Sequence, residues 1–189
     1  MPMLFRLVSE EVGAKKPGYR RGATFSLCCL VLLGCLRGFA HRRALSLLDA
    51  YSYSEENPIG LGAFPSLANP FVWTGVVETD SGFRVLEVNA LEDSLEPEMA
   101  RVYRKPETSP ALAAALKTHT AEVFLGFARF PWAQVGREED GFTVTIRDLR
   151  FVALASQTRG FVAEIRLDND LRVHSESFHF RAPAAPGKF

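Results

Sequence analysis

The chain has 189 residues, of which 47% are hydrophobic and 23% are charged, so it can hold one domain of ordinary size and one further segment. Its formal net charge is zero, but residues 1–43 hold eight Lys/Arg and two Glu, a net +6, which leaves a net −6 for residues 44–189. A net-acidic domain without a Lys/Arg cluster excludes the electrostatic footprint of nucleic-acid binding, so we expect no nucleic-acid partner.

One apolar stretch, residues 23–40, reads ATFSLCCLVLLGCLRGFA and has a single charged residue, Arg37. As an α-helix it would span roughly 27 Å, which is about the thickness of the hydrocarbon layer of a bilayer. Lys and Arg residues flank it on both sides, where they suit lipid headgroups. The sequence therefore predicts a single-pass transmembrane helix in the inner (cytoplasmic) membrane, with the lipid bilayer as a partner.

The basic residues around this stretch also predict its orientation. Only two of them, Arg42 and Arg43, lie just after it, and five lie before it: Arg6, Lys15, Lys16, Arg20 and Arg21. Basic flanks tend to remain in the cytoplasm. We therefore expect residues 1–22 to be a basic cytoplasmic lead-in and the large domain to be extracytoplasmic.

Three other interpretations of residues 23–40 remain open. The stretch could be a buried core helix or a cleaved signal peptide, although its lead-in is long for the latter and contains Glu10 and Glu11. The motif Leu32-Leu33-Gly34-Cys35 resembles the lipobox of a bacterial lipoprotein, which would make the chain a lipoprotein anchored through Cys35. All three cysteines, Cys28, Cys29 and Cys35, lie in this stretch, so the remaining chain has no disulfide and no thiol nucleophile.

Helical spacing of apolar residues continues beyond residue 40, so we expect the helix to run to about residue 56, where Asn57-Pro58 should end it. Residues 57–70 contain Gly and Pro but few charges, and they predict an extended connector lying against the domain. An antiparallel α+β domain should follow over residues 71–181. The Pro/Ala/Gly-rich residues 182–189 predict a flexible tail.

The domain opens with a predicted hairpin around Asp80-Ser81-Gly82. We expect Gly82 to take a left-handed conformation at the end of a three-residue loop, which places Thr79 opposite Phe83. In this register Trp73 faces Asn89. We expect Trp73 to be a buried structural residue that lies over Gly75 and is capped by the connector, near Phe64 or Pro65.

A long helix is predicted after residues 91–108, which read as a solvated acidic loop. Ser109-Pro110 is typical of a helix start, and an apolar stripe runs through Pro110 to Arg129. Its members should face the core: Leu112, Leu116, Val123 and Phe127.

Strands are predicted at residues 142–146, 161–167 and 171–180, the last two joined by a loop at residues 168–170 that places Leu167 opposite Leu171. The predicted fold is therefore α+β: a single N-terminal transmembrane helix, then an antiparallel sheet of about six strands packed on one long helix.

His119 and Glu122 are the only candidate metal ligands. They lie three residues apart on the predicted helix, a His-x-x-Glu spacing that could bring two ligands together. A core histidine is the more ordinary explanation of His119, and no third ligand is visible. His174 and His179 are an odd number of positions apart on one strand and should point to opposite faces. Phosphate-binding loops and hydrolase motifs are absent, so no catalytic residue is predicted.

Three motifs carry a family resemblance: Asn69-Pro70-Phe71-x-Trp73-x-Gly75-Val76-Val77-Glu78, Arg129-Phe130-Pro131 and Asp148-Leu149-Arg150-Phe151. They resemble the C-terminal part of the YdjM-like inner-membrane proteins, a family described as membrane-bound metal-dependent hydrolases, over about residues 5–180. The resemblance implies a divalent metal in the wider family and structural roles for Arg129 and Asp148. The family's His-Arg-Gly-x-Thr-His motif does not occur here, so no catalytic residue is carried over.

Two functions follow from the sequence. The first is a membrane-anchored terminal module of a YdjM-like protein, non-catalytic on its own, which binds or supports another membrane protein or the membrane helices that this chain lacks. The alternative is a metal-dependent hydrolase with a site around His119 and Glu122. A third ligand within metal reach of His119 would favour the hydrolase.

Overall fold

The structure, a computed structural model, describes residues 17–53, 56–66, 69–152 and 160–181. The chain divides into two compact units, Met1–Ala40 and His41–Phe189. Most of the predicted lead-in and the whole predicted tail lie outside the described residues. The elements, in chain order, are helix α1 (Pro17–Asp49), strands β1 (Gly60–Pro65), β2 (Val72–Glu78), β3 (Gly82–Asn89) and β4 (Arg101–Arg104), helices α2 (Pro110–Ala115) and α3 (His119–Phe127), and strands β5 (Pro131–Glu138), β6 (Gly141–Asp148), β7 (Gly160–Asp168) and β8 (Val173–Arg181). Two short 3₁₀ helices, Pro97–Met99 and Leu149–Phe151, complete the described structure.

Helix α1 contains the apolar stretch. Among the described residues it is the one helix long and apolar enough to span a membrane, with a mean hydropathy of 1.8 over its most apolar window. Its large apolar side chains are exposed, including Leu30, Val31 and Leu32, which does not favour the buried-core interpretation. The helix begins at Pro17 rather than near residue 23, and it ends at Asp49 rather than near residue 56.

The end of α1 belongs to the second unit and explains why the helix stops early. Ala44 and Leu48 are fully buried there. After Asp49 the chain turns, and the hydroxyl of Tyr53 donates a 2.9 Å hydrogen bond to the Leu48 carbonyl. This carbonyl is one of the last-turn acceptors that have no donor within a helix, so Tyr53 closes the helix end.

The first sheet has the order β1-β2-β3-β4 and is antiparallel throughout. Strand β1 comes from the segment predicted as a connector, and β4 from the predicted acidic loop. The prediction of one six-stranded sheet on one helix is therefore wrong, although the mixed α/β class and the N-terminal apolar helix are confirmed. Gly and Pro in β1 and exposed Arg residues in β4 conceal both strands in the sequence.

The predicted register of the β2–β3 hairpin is wrong by one residue. The structure pairs Glu78 with Phe83 and Trp73 with Val88, because the Thr79 N–H donates to the Gly82 carbonyl across a two-residue turn. Apolar side chains are buried on both faces of the two strands, so matching apolar residues could not distinguish one register from the next.

Gly82 is required for a different reason from the predicted one. Among the described residues only Gly141 and Leu171 have a positive φ, so Gly82 is not left-handed. A Cβ built on Gly82 would instead lie 2.5 Å from the carbonyl oxygen of Tyr103 on strand β4. The glycine lets β4 approach β3 closely.

The second sheet has the order β5-β6-β7-β8, again antiparallel. Helices α2 and α3 pack on one face of it, over Val144, Ile146 and Ile165. In the last hairpin a bulge between Arg166 and Leu167 pairs Leu167 with Val173, so the predicted pairing with Leu171 is wrong. The Leu171 N–H bonds the Asp168 carbonyl within the turn instead.

The predicted long helix is two short ones. The Thr118 hydroxyl accepts the Ala121 N–H and begins α3 anew, which changes the helical phase. Leu116 and Val123 are consequently 38% and 53% exposed, so the predicted core stripe is wrong. The residues that face the core are Ala111, Ala115, Ala121 and Phe124.

The two sheets share a second core within the same unit. Phe130, just before β5, and Leu149, just after β6, pack with residues of the first sheet: Val76, Phe83 and Val85. The indole N–H of Trp132 adds a 2.8 Å hydrogen bond to the Arg104 carbonyl.

Candidate functional site

The predicted metal ligands lie on the exposed side of α3. His119 and Glu122 are both exposed in its first turn. Nowhere in residues 17–53, 56–66, 69–152 or 160–181 do three or more His, Cys, Asp or Glu side chains form a group that could hold a metal ion. The third ligand that would favour a hydrolase is therefore not found in the described part of the chain.

Glu176 of β8 binds the start of this helix. Its carboxylate accepts the Thr120 N–H at 2.9 Å. Hydrogen bonding to the backbone and then to the side chain of Thr120, and more weakly the nearby His119, lower the pKa of Glu176. The pair attaches strand β8 to the N-terminus of α3, where a negative charge is favourable.

Trp73 is buried in the first sheet, at 4% exposure. It pairs with Pro65 of β1, and its ring lies 5.1 Å from that of His41. The space over Gly75 is filled by the methyl groups of Leu48, because a Cβ on Gly75 would lie 2.8 Å from Leu48 Cδ2. Trp73 is therefore buried in the sheet, as predicted, but the ring that packs against it is that of His41, and it is not the residue that covers Gly75.

Asp148 is 2% exposed and organises the junction between α3, β5 and β6. Its carboxylate accepts the backbone N–H groups of Arg129 and Arg150, both at 3.0 Å, and the Arg150 Nε–H at 2.7 Å. Arg150 also donates to the Phe127 carbonyl at 3.0 Å. The motifs around Arg129 and Asp148 thus meet in space and fix the end of α3.

The most prominent exposed apolar feature of the described domain lies beside this junction. We call it the aromatic surface. Its five side chains are between 37% and 58% exposed: Phe127, Phe151, Phe161, Phe178 and Phe180. Neighbouring rings are 5.1–6.3 Å apart, centroid to centroid, which is the distance range of favourable aromatic pairs.

Strand register explains how these rings come together. Phe161 is paired with Phe180, and Phe178 with Ala163, so the three phenylalanines share the face that carries α3. Because α3 has only nine residues, it ends at Phe127 and leaves this part of the face uncovered. Buried Phe124 contacts Phe127 and Phe178 beneath the surface.

Sequence reasoning did not identify the aromatic surface. The sequence predicts Phe127 as a core residue and places Phe161, Phe178 and Phe180 in strands without a further role. The available signal was the period-two spacing of Phe178 and Phe180, which places both side chains on one face of the strand. Whether a helix covers that face depends on the length of α3, and the predicted helix is about twice as long as α3.

Comparison with known proteins bears on this same part of the chain. Helices α2 and α3 followed by four antiparallel strands define a two-layer α/β unit. Residues 110–183, which include this unit, match the family model described as the YfhP C-terminal alpha/beta plait domain. No curated protein and no solved structure matches the chain. The comparisons give no support for the YdjM-like hydrolase resemblance.

Proposed function

We propose that this chain is a membrane-anchored, non-catalytic binding module that engages its partner through the aromatic surface. The observation that carries the proposal is the aromatic surface itself. Aromatic side chains present about 150–250 Å² each, so the exposed fractions of the five side chains leave roughly 450 Å² of apolar area in contact with water. A contiguous apolar patch of roughly this size is often functional in a soluble domain.

The anchor in this proposal is helix α1. Its length and hydropathy are those of a membrane span, and the exposed apolar side chains of residues 25–33 would be covered by lipid. The location in this proposal is the inner membrane, and the charge distribution supports an orientation with the N-terminus in the cytoplasm and the domain outside. The YdjM-like origin and anchoring through Cys35 stay predictions, and no observation on the described residues favours a hydrolase.

Membrane fractionation tests the anchor. We expect the full chain to stay in the pellet after alkaline carbonate extraction, and a variant with Leu30, Val31 and Leu32 each replaced by Gln to be released. Reporter fusions after Phe180 test the orientation, because a reporter that works only in the cytoplasm should be inactive there. Release of the parent chain by carbonate would refute the anchor, and an active cytoplasmic reporter would refute the orientation.

Site-specific photo-cross-linking tests the binding surface. A photoreactive phenylalanine analogue replaces Phe180 in the full membrane-bound chain, and the same analogue at Leu91, an exposed apolar residue after β3, is the matched control. We expect a discrete protein adduct from position 180 and none from position 91. If position 180 gives no protein adduct, the proposed binding function is wrong.

A further inference from the structure

We propose that the partner of the aromatic surface is a second copy of this chain, and that the two copies pack face to face across a two-fold axis. In this arrangement helix α3 of each copy lies over the uncovered phenylalanines of the other. This inference rests on the proposed function and names its partner.

The uncovered part of the second sheet has room for one more helix. Helix α3 contacts β7 and β8 and ends at Phe127. Beyond this point Phe161 and Phe180 lie side by side on the same sheet face, exposed and without a described helix above them. Sheets in two-layer domains bury their apolar face under helices. The missing cover is therefore an apolar helix that continues the layer to which α3 belongs.

The outward side of α3 has the properties of that missing helix. Ala121 and Phe124 point to the core, and Gly126 lies on the opposite side of the helix. Beside Gly126 are Val123 and Phe127, which are 53% and 41% exposed, so the second half of the outward side is apolar. One chain therefore exposes both an uncovered sheet face and an apolar helix side.

Gly126 indicates that another molecule approaches this side of α3 closely. It is exposed, and a Cβ built on it would have no described atom within 4 Å beyond its own helix and chain neighbours. Glycine inside a helix lowers the stability of the helix relative to alanine, and no described neighbour requires the missing side chain here. A side chain of a second molecule that lies against the helix backbone would require it.

A two-fold axis in the plane between the copies covers both features at once. Contacts across such an axis are reciprocal, so if α3 of one copy covers the phenylalanines of the other, the reverse holds as well. The two α3 helices then lie in one layer between the two sheets. The rings of Phe178 and Phe180 would rest against the bare backbone at Gly126.

The buried area agrees with a specific dimer. This packing covers the aromatic surfaces of both copies, which offer roughly 450 Å² each and roughly 900 Å² together. The exposed Val123 and the backbone around Gly126 add to this area on each copy. The total approaches the roughly 1,200 Å² at which specific, stable interfaces begin.

Photo-cross-linking of the full chain in detergent micelles tests this packing. The photoreactive phenylalanine analogue at position 180 is used with an equal mixture of isotopically labelled and unlabelled chains, so that adducts between two copies are recognised by their mixed isotopes. We expect an adduct with the mass of two chains, joined from position 180 of one copy to α3 of the other.

A substitution on the outward side of α3 tests the contact and leaves the fold intact. Gly126→Gln fills the open space with a long side chain, and glutamine is a better helix former than glycine. We expect an at least fivefold lower yield of the two-chain adduct, an unchanged circular dichroism spectrum, and unfolding at an equal or higher urea concentration. Gly136→Gln, the same change at an exposed glycine of β5, is the matched control and should keep the adduct yield of the parent.

The outcomes separate this inference from the proposed function. An adduct of another mass, or two chains joined outside α3, would overturn the inference and leave the proposed binding function standing. Equal adduct yields from Gly126→Gln and Gly136→Gln would overturn it as well. No protein adduct from position 180 would overturn both.

Discussion

Replacement of the buried Asp148 carboxylate tests the account of how the aromatic surface is built. This one side chain accepts three hydrogen bonds, from the backbones of Arg129 and Arg150 and from the Arg150 guanidinium. The guanidinium in turn holds the Phe127 carbonyl at the end of α3. Loss of the carboxylate should therefore destabilise the domain and loosen two of the five rings, Phe127 and Phe151.

The expected loss of stability follows from the polar groups that lose their hydrogen-bond partner when the carboxylate is removed. Asp148→Ala leaves the three-quarters-buried Arg150 side chain without its carboxylate, and breaking one side of a buried ion pair costs about 3–5 kcal/mol. Asp148→Asn keeps the size and one acceptor oxygen, so we expect a loss of about 1.5–3 kcal/mol. At roughly 2–4 °C per kcal/mol for a domain of this size, Asp148→Ala should lower the melting temperature by roughly 10 °C.

Tryptophan fluorescence during urea denaturation of the full chain in micelles measures the loss. The chain has two tryptophans, Trp73 and Trp132, and both lie in the second unit, so the signal reports on that domain. Asp140→Ala, in the exposed turn after β5, is the matched control and should change the free energy of unfolding by less than about 0.5 kcal/mol. If Asp148→Ala unfolds at the same urea concentration as this control, the reasoning is refuted.

Three further predictions concern the first sheet and the end of α1. Trp73→Ala should lower the free energy of unfolding by about 3–5 kcal/mol because the ring is buried; a melt like that of the parent, followed by circular dichroism, would contradict this. Gly82→Ala should cost about 1–3 kcal/mol, since its Cβ would meet the Tyr103 carbonyl, whereas Gly136→Ala has no atom nearer than 3.7 Å and should unfold like the parent. Burial raises the pKa of Tyr53 from 10.0 to about 12, so the folded state favours the neutral phenol. The resulting stabilisation is present below pH 10 and is lost as the pH rises to about 12. The difference in unfolding free energy between the parent and Tyr53→Phe should therefore fall by roughly 2–3 kcal/mol over that interval. A difference that does not change with pH would show that burial does not raise the pKa of Tyr53.

Local signals in the sequence were sufficient for the apolar helix, for the start of α2 at Ser109-Pro110 and for the presence of both hairpins. The same signals did not determine register. In the β2–β3 hairpin both faces are covered, so a shift by one residue exchanges one set of buried apolar side chains for another. In the β7–β8 hairpin the register depends on a bulge, which alternation of apolar residues does not reveal.

The aromatic surface could not be predicted because it depends on a helix break. The apolar stripe of residues 112–127 has the correct period for one helix, and the Thr118 cap that divides it involves a single hydroxyl. Because α3 is short, it does not cover phenylalanines that a longer helix would bury, and they become surface residues. A capping residue inside an apolar stripe was the available sign, and Thr118 is one of the residue types that cap helices.

The consecutive strand order of both sheets has a consequence for synthesis on the ribosome. The first sheet is complete in sequence at Arg104, yet its core also contains Phe130 and Leu149, which are translated afterwards. At a translation rate of about 5–20 residues per second, Val76 and Val85 of the nascent first sheet remain for a few seconds without their contacts to Phe130 and Leu149. During that interval the emerging chain should be a client for chaperones, and a transcript truncated between these points should yield an aggregating product rather than a smaller stable protein.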